Sequence, residues 1–227
     1  MKKLLKIILA LIVLLMIIGA IVGNDEQKQE VAQQPTETTE IKTDSTPAKP
    51  SFEGRISKDV KYTVSEKGIL IFDKAKDMFR EFNDYRESEG EVKFLSEKPL
   101  SILITKKLDE DEKNLVKEYG EMSFLYAIYR TFMNTPENQV TVEAYPVLVT
   151  AQNKEIPQKA VKLKATVTRE KALEILRKYT AAESIDDLVQ TEENKEYRQV
   201  GMSGSKLWDK FVYNEKERTN IVKDLLK

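Results

Sequence analysis

Residues 109–136 read DEDEKNLVKEYGEMSFLYAIYRTFMNTP, and this stretch decides the fold. Apolar or aromatic side chains stand at Leu115, Tyr119, Met122, Tyr126, Tyr129 and Met133, at spacings of 4, 3, 4, 3 and 4. That rhythm keeps them on one face of an α-helix. Asp109, Glu110, Asp111 and Glu112 complement the positive end of the helix dipole, and Asn134-Thr135-Pro136 stops the helix. Phe124, Leu125, Ile128 and Phe132 fill the other faces of its second half. A helix apolar nearly all round is predicted to be buried, so this one is placed at the centre of the domain.

Strands are predicted on both sides of it. Residues 60–64 and 69–72 flank Ser65-Glu66-Lys67-Gly68 as a hairpin. Asp73 is predicted to cap a helix whose apolar positions are Ala75, Met78, Phe79, Phe82 and Tyr85, with Gly90 ending it. Residues 92–95 and 100–105 read as strands. On the far side, residues 140–150 and 160–167 read as strands joined through Asn153-Lys154. In the second, Val161, Leu163, Ala165 and Val167 alternate with polar residues, the pattern of a sheet with one wet face. Thr168, Ser184, Ser205 and Asn214 are predicted to cap short C-terminal helices. No internal repeat is present. The expected fold over residues 52–227 is a single α+β domain with a mostly antiparallel sheet and packed helices.

The chain begins Met1-Lys2-Lys3-Leu4-Leu5-Lys6, followed by an unbroken apolar run over residues 7–22. With Leu4 and Leu5 included and Lys6 snorkelling, residues 4–23 reach the length of about 20 needed to span a bilayer core of roughly 30 Å. Lysines precede the run and Asp25 and Glu26 follow it, so the N-terminus is expected in the cytoplasm and the remainder outside. A cleaved signal peptide is the alternative. Its apolar core is usually about 7–15 residues and its cleavage site has small residues two apart, which Ala20 and Gly23 do not provide. Residues 1–23 are therefore read as a transmembrane anchor. Residues 24–51 are read as a disordered linker, because they carry too few apolar side chains to offset ordering entropy. Three lysines (28, 42, 49) against six acids (25, 26, 30, 37, 40, 44) keep that tether off an anionic surface.

Composition excludes several kinds of chemistry. The 227 residues include no cysteine and no histidine. Thiolate nucleophiles, zinc–thiolate sites, disulfides and histidine bases are thereby excluded. The formal net charge is −1, with no basic cluster, so no nucleic-acid partner is expected. No metal or other cofactor is expected.

Four clusters remain. Ser203-Gly204-Ser205-Lys206 matches the Ser-x-x-Lys pair by which penicillin-recognising enzymes activate a serine, but the companion Ser-Asp-Asn and Lys-Thr-Gly motifs are absent. A glycine turn with a serine helix cap explains the same residues. Asp186-Asp187 with Glu192-Glu193 offers carboxylates for glycoside hydrolysis, while Ile185, Leu188 and Val189 define the buried side and leave the acids facing water. Tyr119, Tyr126 and Tyr129 form one aromatic stripe, which suits either a packed core or a ligand groove. Trp208, the single tryptophan, suits either helix docking or an interaction hot spot.

The expected function is that of a non-catalytic, membrane-tethered extracytoplasmic domain that binds a ligand or an envelope protein. Ligand candidates are Tyr119, Tyr126, Tyr129 and Trp208. The alternative is a small extracytoplasmic hydrolase of cell-envelope polymer acting through carboxylates or Ser203 and Lys206.

Overall fold

The computed structural model describes residues 51–195 and 199–227. The predicted anchor, residues 1–23, and residues 24–50 of the predicted tether lie outside the described residues. Among those described, no helix is long and apolar enough to cross a membrane.

β1 (Tyr62–Val64) and β2 (Leu70–Phe72) form the predicted hairpin, with Gly68 at φ +78° in its turn. The next helix, α1 (Ala75–Phe82), departs from expectation at both ends. Lys74 rather than Asp73 occupies its N-cap, with no side-chain hydrogen bond. Asn83, not Gly90, closes it in the left-handed conformation (φ +56°), returning its N–H to the carbonyl of Phe79. Asparagine tolerates that conformation better than other side-chain-bearing residues. Tyr85 therefore leaves the helix and falls in the following turn.

β3 (Val92–Glu97), β4 (Leu100–Ile104) and β5 (Lys107–Asp109) come next. The acidic run then winds as a 3-10 turn, Glu110–Leu115, under a capping box in which Asp109 N–H donates to Glu112 Oε2 at 3.1 Å. It leads into the predicted central helix, α2 (Val116–Asn134). After it the single strand predicted over residues 140–150 is broken at Tyr145-Pro146 into β6 (Gln139–Ala144) and β7 (Val147–Val149). Asn153, at φ +58°, turns the chain into β8 (Glu155–Pro157), and β9 (Leu163–Thr168) follows. Three helices complete the described chain. They are α3 (Arg169–Tyr179), α4 (Lys206–Tyr213) and α5 (Glu215–Leu225). Their predicted caps are in place, with Thr168 accepting from Lys171 N–H, Ser205 from Trp208 N–H, and Asn214 from Lys216 and Glu217 N–H.

The result is a single α+β domain with mixed sheets and five α-helices among the described residues. Most pairings are antiparallel as expected, but the single expected sheet is replaced by three, two of them mixed. The four-stranded sheet runs β3-β4-β6-β9, and its central pair, β4 with β6, is parallel. The three-stranded sheet runs β5-β7-β8, with β5 and β7 parallel. The cause is α2, which carries the chain back before β6 begins, as a parallel pairing requires. The two parallel pairs share one register. Ile104 lies opposite Ala144 and Lys107 opposite Val147, each partner 40 positions on. They form one ribbon, bent where Thr105 N–H turns to Glu91 O (2.7 Å) and resumed where Val147 N–H reaches Lys106 O (2.8 Å).

The second half of α2 is buried as predicted, with Phe124, Leu125, Ile128, Tyr129 and Phe132 all closed to solvent. Ile102, Ile104, Val140, Val142, Ala144 and Val167 project from the sheet into the same core. The opposite sheet face is polar. There Thr141 and Thr166 share a hydroxyl hydrogen bond of 2.8 Å, and Glu143 lies between Lys162 (3.3 Å) and Lys164 (3.4 Å).

Candidate functional site

A cleft of about 480 Å³ opens where α2 meets α4 and the turn after α1. Its size lies in the range of small-ligand sites. Three of the four aromatic candidates line it: Tyr119, Tyr126 and Trp208. The fourth, Tyr129, points elsewhere. Its hydroxyl donates to Ala172 O at 3.1 Å, its ring packs against Phe211 at 5.1 Å, and burial pushes its hydroxyl above the usual tyrosine range.

Helical spacing explains that division. Tyr119 and Tyr126 are two turns apart on one side of α2, whereas Tyr129 is rotated past the cleft toward α3 and α4. Tyr126 is the hub. Its ring meets Tyr85 at 4.9 Å, Phe79 at 5.8 Å and Trp208 at 6.3 Å. Its hydroxyl donates to Asp84 Oδ2 at 2.7 Å. Burial raises the Tyr126 hydroxyl well above the ordinary tyrosine value, and the positive charge of Arg130 opposes that shift. Asp84 and Tyr85 reach the cleft because Asn83 ends α1 early, and Tyr85 is fixed by a 2.9 Å hydrogen bond with Ser123.

Trp208 depends on the turn before α4. A β-carbon on Gly204 would run into the Trp208 indole, so glycine is required there for the ring to lie flat against the backbone. Gly201, at φ +81°, lets the same loop pass against β2, where its carbonyl accepts from Leu70 N–H at 3.0 Å.

The residue that sequence reasoning did not single out is Arg130. It is 7% exposed, and it lines this cleft as well as an adjoining polar groove of about 680 Å³. Its guanidinium carbon lies 4.9 Å from the Phe82 ring, 5.4 Å from Trp208 and 5.8 Å from Tyr126. Both of its hydrogen bonds among the described residues leave from Nη1, to Met202 O (2.6 Å) and Asn134 Oδ1 (3.3 Å). Its Nε is buried with no partner. A signal was present in the sequence, since Arg130 is the one charged residue between Met122 and Met133. A charge in a helix that is apolar all round must be matched or must serve a site.

The other cation of the cleft, Lys106, is matched. Its Nζ lies 3.6 Å from the Glu91 carboxylate and over the Tyr85 ring at 5.5 Å.

Ser203 lines the cleft, with its hydroxyl 3.5 Å from Gln199 Oε1. Lys206 lines a different groove, beside Asp187, Asn194 and Ser205. Ser205 serves as the α4 cap, with its hydroxyl donating to Asp187 O at 2.6 Å. Asp187 closes the capping box predicted at Ser184, and Asp186 lies 3.7 Å from Lys67. Glu192 pairs with Lys195 at 3.4 Å.

No protein family, no curated protein and no solved structure matches this chain. The site is therefore read from its own geometry.

Proposed function

We propose that this chain is a membrane-tethered extracytoplasmic binding domain, non-catalytic, that holds a small ligand in the cleft between α2 and α4. The observation that carries the reading is the convergence of Tyr119, Tyr126, Trp208 and Arg130 on one opening of about 480 Å³. Aromatic walls with a few fixed polar groups are the usual make-up of a small-molecule site. Binding is favoured over the alternative of envelope-polymer hydrolysis because Ser203 and Lys206 line separate grooves. Asp186 and Asp187 are already engaged by Lys67 and the Ser184 cap.

Placement rests on the sequence. The apolar run over residues 7–22, with lysines before it and acids after it, supports a single-pass anchor with the N-terminus inside. The alternative is secretion after cleavage. An envelope protein is the partner class suited to a tethered domain.

Two experiments test this reading. Trp208 is the only tryptophan, so its emission in the full chain reports occupancy of the cleft directly. A panel of small organic ligands that leaves its emission unchanged at millimolar concentration would sink the binding reading. Protease treatment of intact cells addresses placement. A protected folded domain overturns the orientation, and a mature protein starting near Asn24 favours secretion.

A further inference from the structure

Three arginines packed into this domain, two buried and Arg169 partly so, differ in how their charge is met. Arg218, 2% exposed, has Glu121 Oε2 at 3.2 Å on its Nε, Glu118 at 3.4 Å, and Val212 O at 3.1 Å. Arg169 spreads its guanidinium over three backbone carbonyls, those of Phe132, Thr135 and Glu137. Arg130 is buried among three aromatic rings, yet only its Nη1 is hydrogen-bonded among the described residues. A buried guanidinium N–H with no acceptor is costly, because its desolvation is not offset. Nε is that donor, and with Nη2, which makes no hydrogen bond among the described residues, it forms the edge left open to the cleft. Its two N–H bonds run parallel, the spacing that a carboxylate accepts in bidentate fashion.

On the binding reading above, we propose that the ligand is a small organic monocarboxylate with a flat or apolar body. Arg130 takes the carboxylate through Nε and Nη2 while the body lies against Tyr126 and Trp208. The neighbouring groups select for a single negative charge. Asp84 lines the same cleft, and its carboxylate is held toward the site by the Tyr126 hydroxyl at 2.7 Å. A second negative charge on the ligand would face the Asp84 carboxylate at the exposed rim of the cleft, and like charges repel. Phosphomonoesters are disfavoured on that ground.

The test uses the full chain and three sets of probes. These are phenylacetate, 3-phenylpropionate and cyclohexylacetate, then their neutral amides, then phenyl phosphate. Occupancy is followed by Trp208 emission, and the anion contact by the Arg130 Nε–H resonance in a nitrogen-correlated NMR spectrum. The expected result is that a carboxylate shifts both signals and binds at least about tenfold tighter than its amide, the effect of a charge-assisted pair. Arg130→Lys keeps the charge and loses the paired edge, so it should abolish that preference while the amide still binds. Because Arg130 also holds the Met202 carbonyl, the wild-type Nε–H shift is the readout that does not depend on how the variant folds. If carboxylate and amide bind equally, or Trp208 responds while the Arg130 resonance stays fixed, the carboxylate inference fails and the binding reading stands. Tighter binding of phenyl phosphate overturns the monocarboxylate assignment. If no probe moves either signal, both readings fall.

Discussion

The guanidinium carbon of Arg130 lies 5.4 Å from the ring centre of Trp208, with both side chains buried. A cation over an indole in a desolvated setting is worth about 2 kcal/mol. The pair should therefore couple. In a double-mutant cycle, Trp208→Leu and Arg130→Met are expected to show an interaction energy of about 1–2 kcal/mol in urea unfolding. Losses that add to within about 0.3 kcal/mol would mean that the two merely sit side by side.

Gly204 sets the position of that ring. Gly204→Ala places a methyl group against the indole, and the expected loss is about 1–3 kcal/mol, as for an overpacked core. The near-ultraviolet dichroism and emission of Trp208 should change while the far-ultraviolet spectrum remains that of the parent. An unaltered tryptophan signal would show that the ring does not press on this turn.

Glu121 and Arg218 form a buried pair at 3.2 Å, with Thr219 donating to the same carboxylate at 3.0 Å. Glu121→Ala leaves the Arg218 charge buried with only the half-exposed Glu118 nearby, and the expected cost is about 3–5 kcal/mol in urea unfolding. Replacing both members, Glu121→Leu with Arg218→Met, should restore much of the loss. A single substitution costing less than about 1 kcal/mol would show that water reaches this pair.

Asp187 titrates below the ordinary aspartate range. Partial burial pushes its pKa upward, but N–H groups of Ser184 and Glu183, the Ser184 hydroxyl and the charge of Lys67 outweigh that effect. A carboxylate depressed in the folded state stabilises the fold at pH values above its unfolded pKa, near 4. That contribution is lost as pH falls from there through the folded value. Asp187→Asn should cost about 1 kcal/mol at pH 7 through the weakened cap, and the gap from wild type should narrow as pH falls below the unfolded aspartate pKa, near 4, and through the folded value. A gap that stays constant across the acid range would assign the effect to packing rather than charge.

Much of the architecture was legible in local chemistry. The spacing from Leu115 to Met133 gave the central helix, and Thr168, Ser205 and Asn214 gave three helix starts, because caps act within one turn. The parallel pairing of β4 with β6 was not legible. Both strands alternate as antiparallel strands do, and their direction depends on where a 19-residue helix returns the chain. The end of α1 was not legible, because Asn83 and Gly90 both adopt positive φ and either can stop a helix. At the site, the aromatic stripe left core and groove open: Tyr119 and Tyr126 line the cleft, whereas Tyr129, three residues past Tyr126 and so displaced by about 60° around the helix, lies in the core. Arg130 belongs to no repeat, so periodicity does not mark it. Its meaning comes from being unlike its neighbours.

The shared 40-position offset across β4–β5 and β6–β7 makes the bend a coupled joint. Both chains cross it with the same number of residues, so neither side can change length alone. Deleting one residue from Thr105-Lys106 would slip β5 by a single step against β7. That slip would turn the buried Leu108 outward and pull Lys106 away from Tyr85 at the rim of the cleft. Length variation among chains of this architecture should therefore skip the joint.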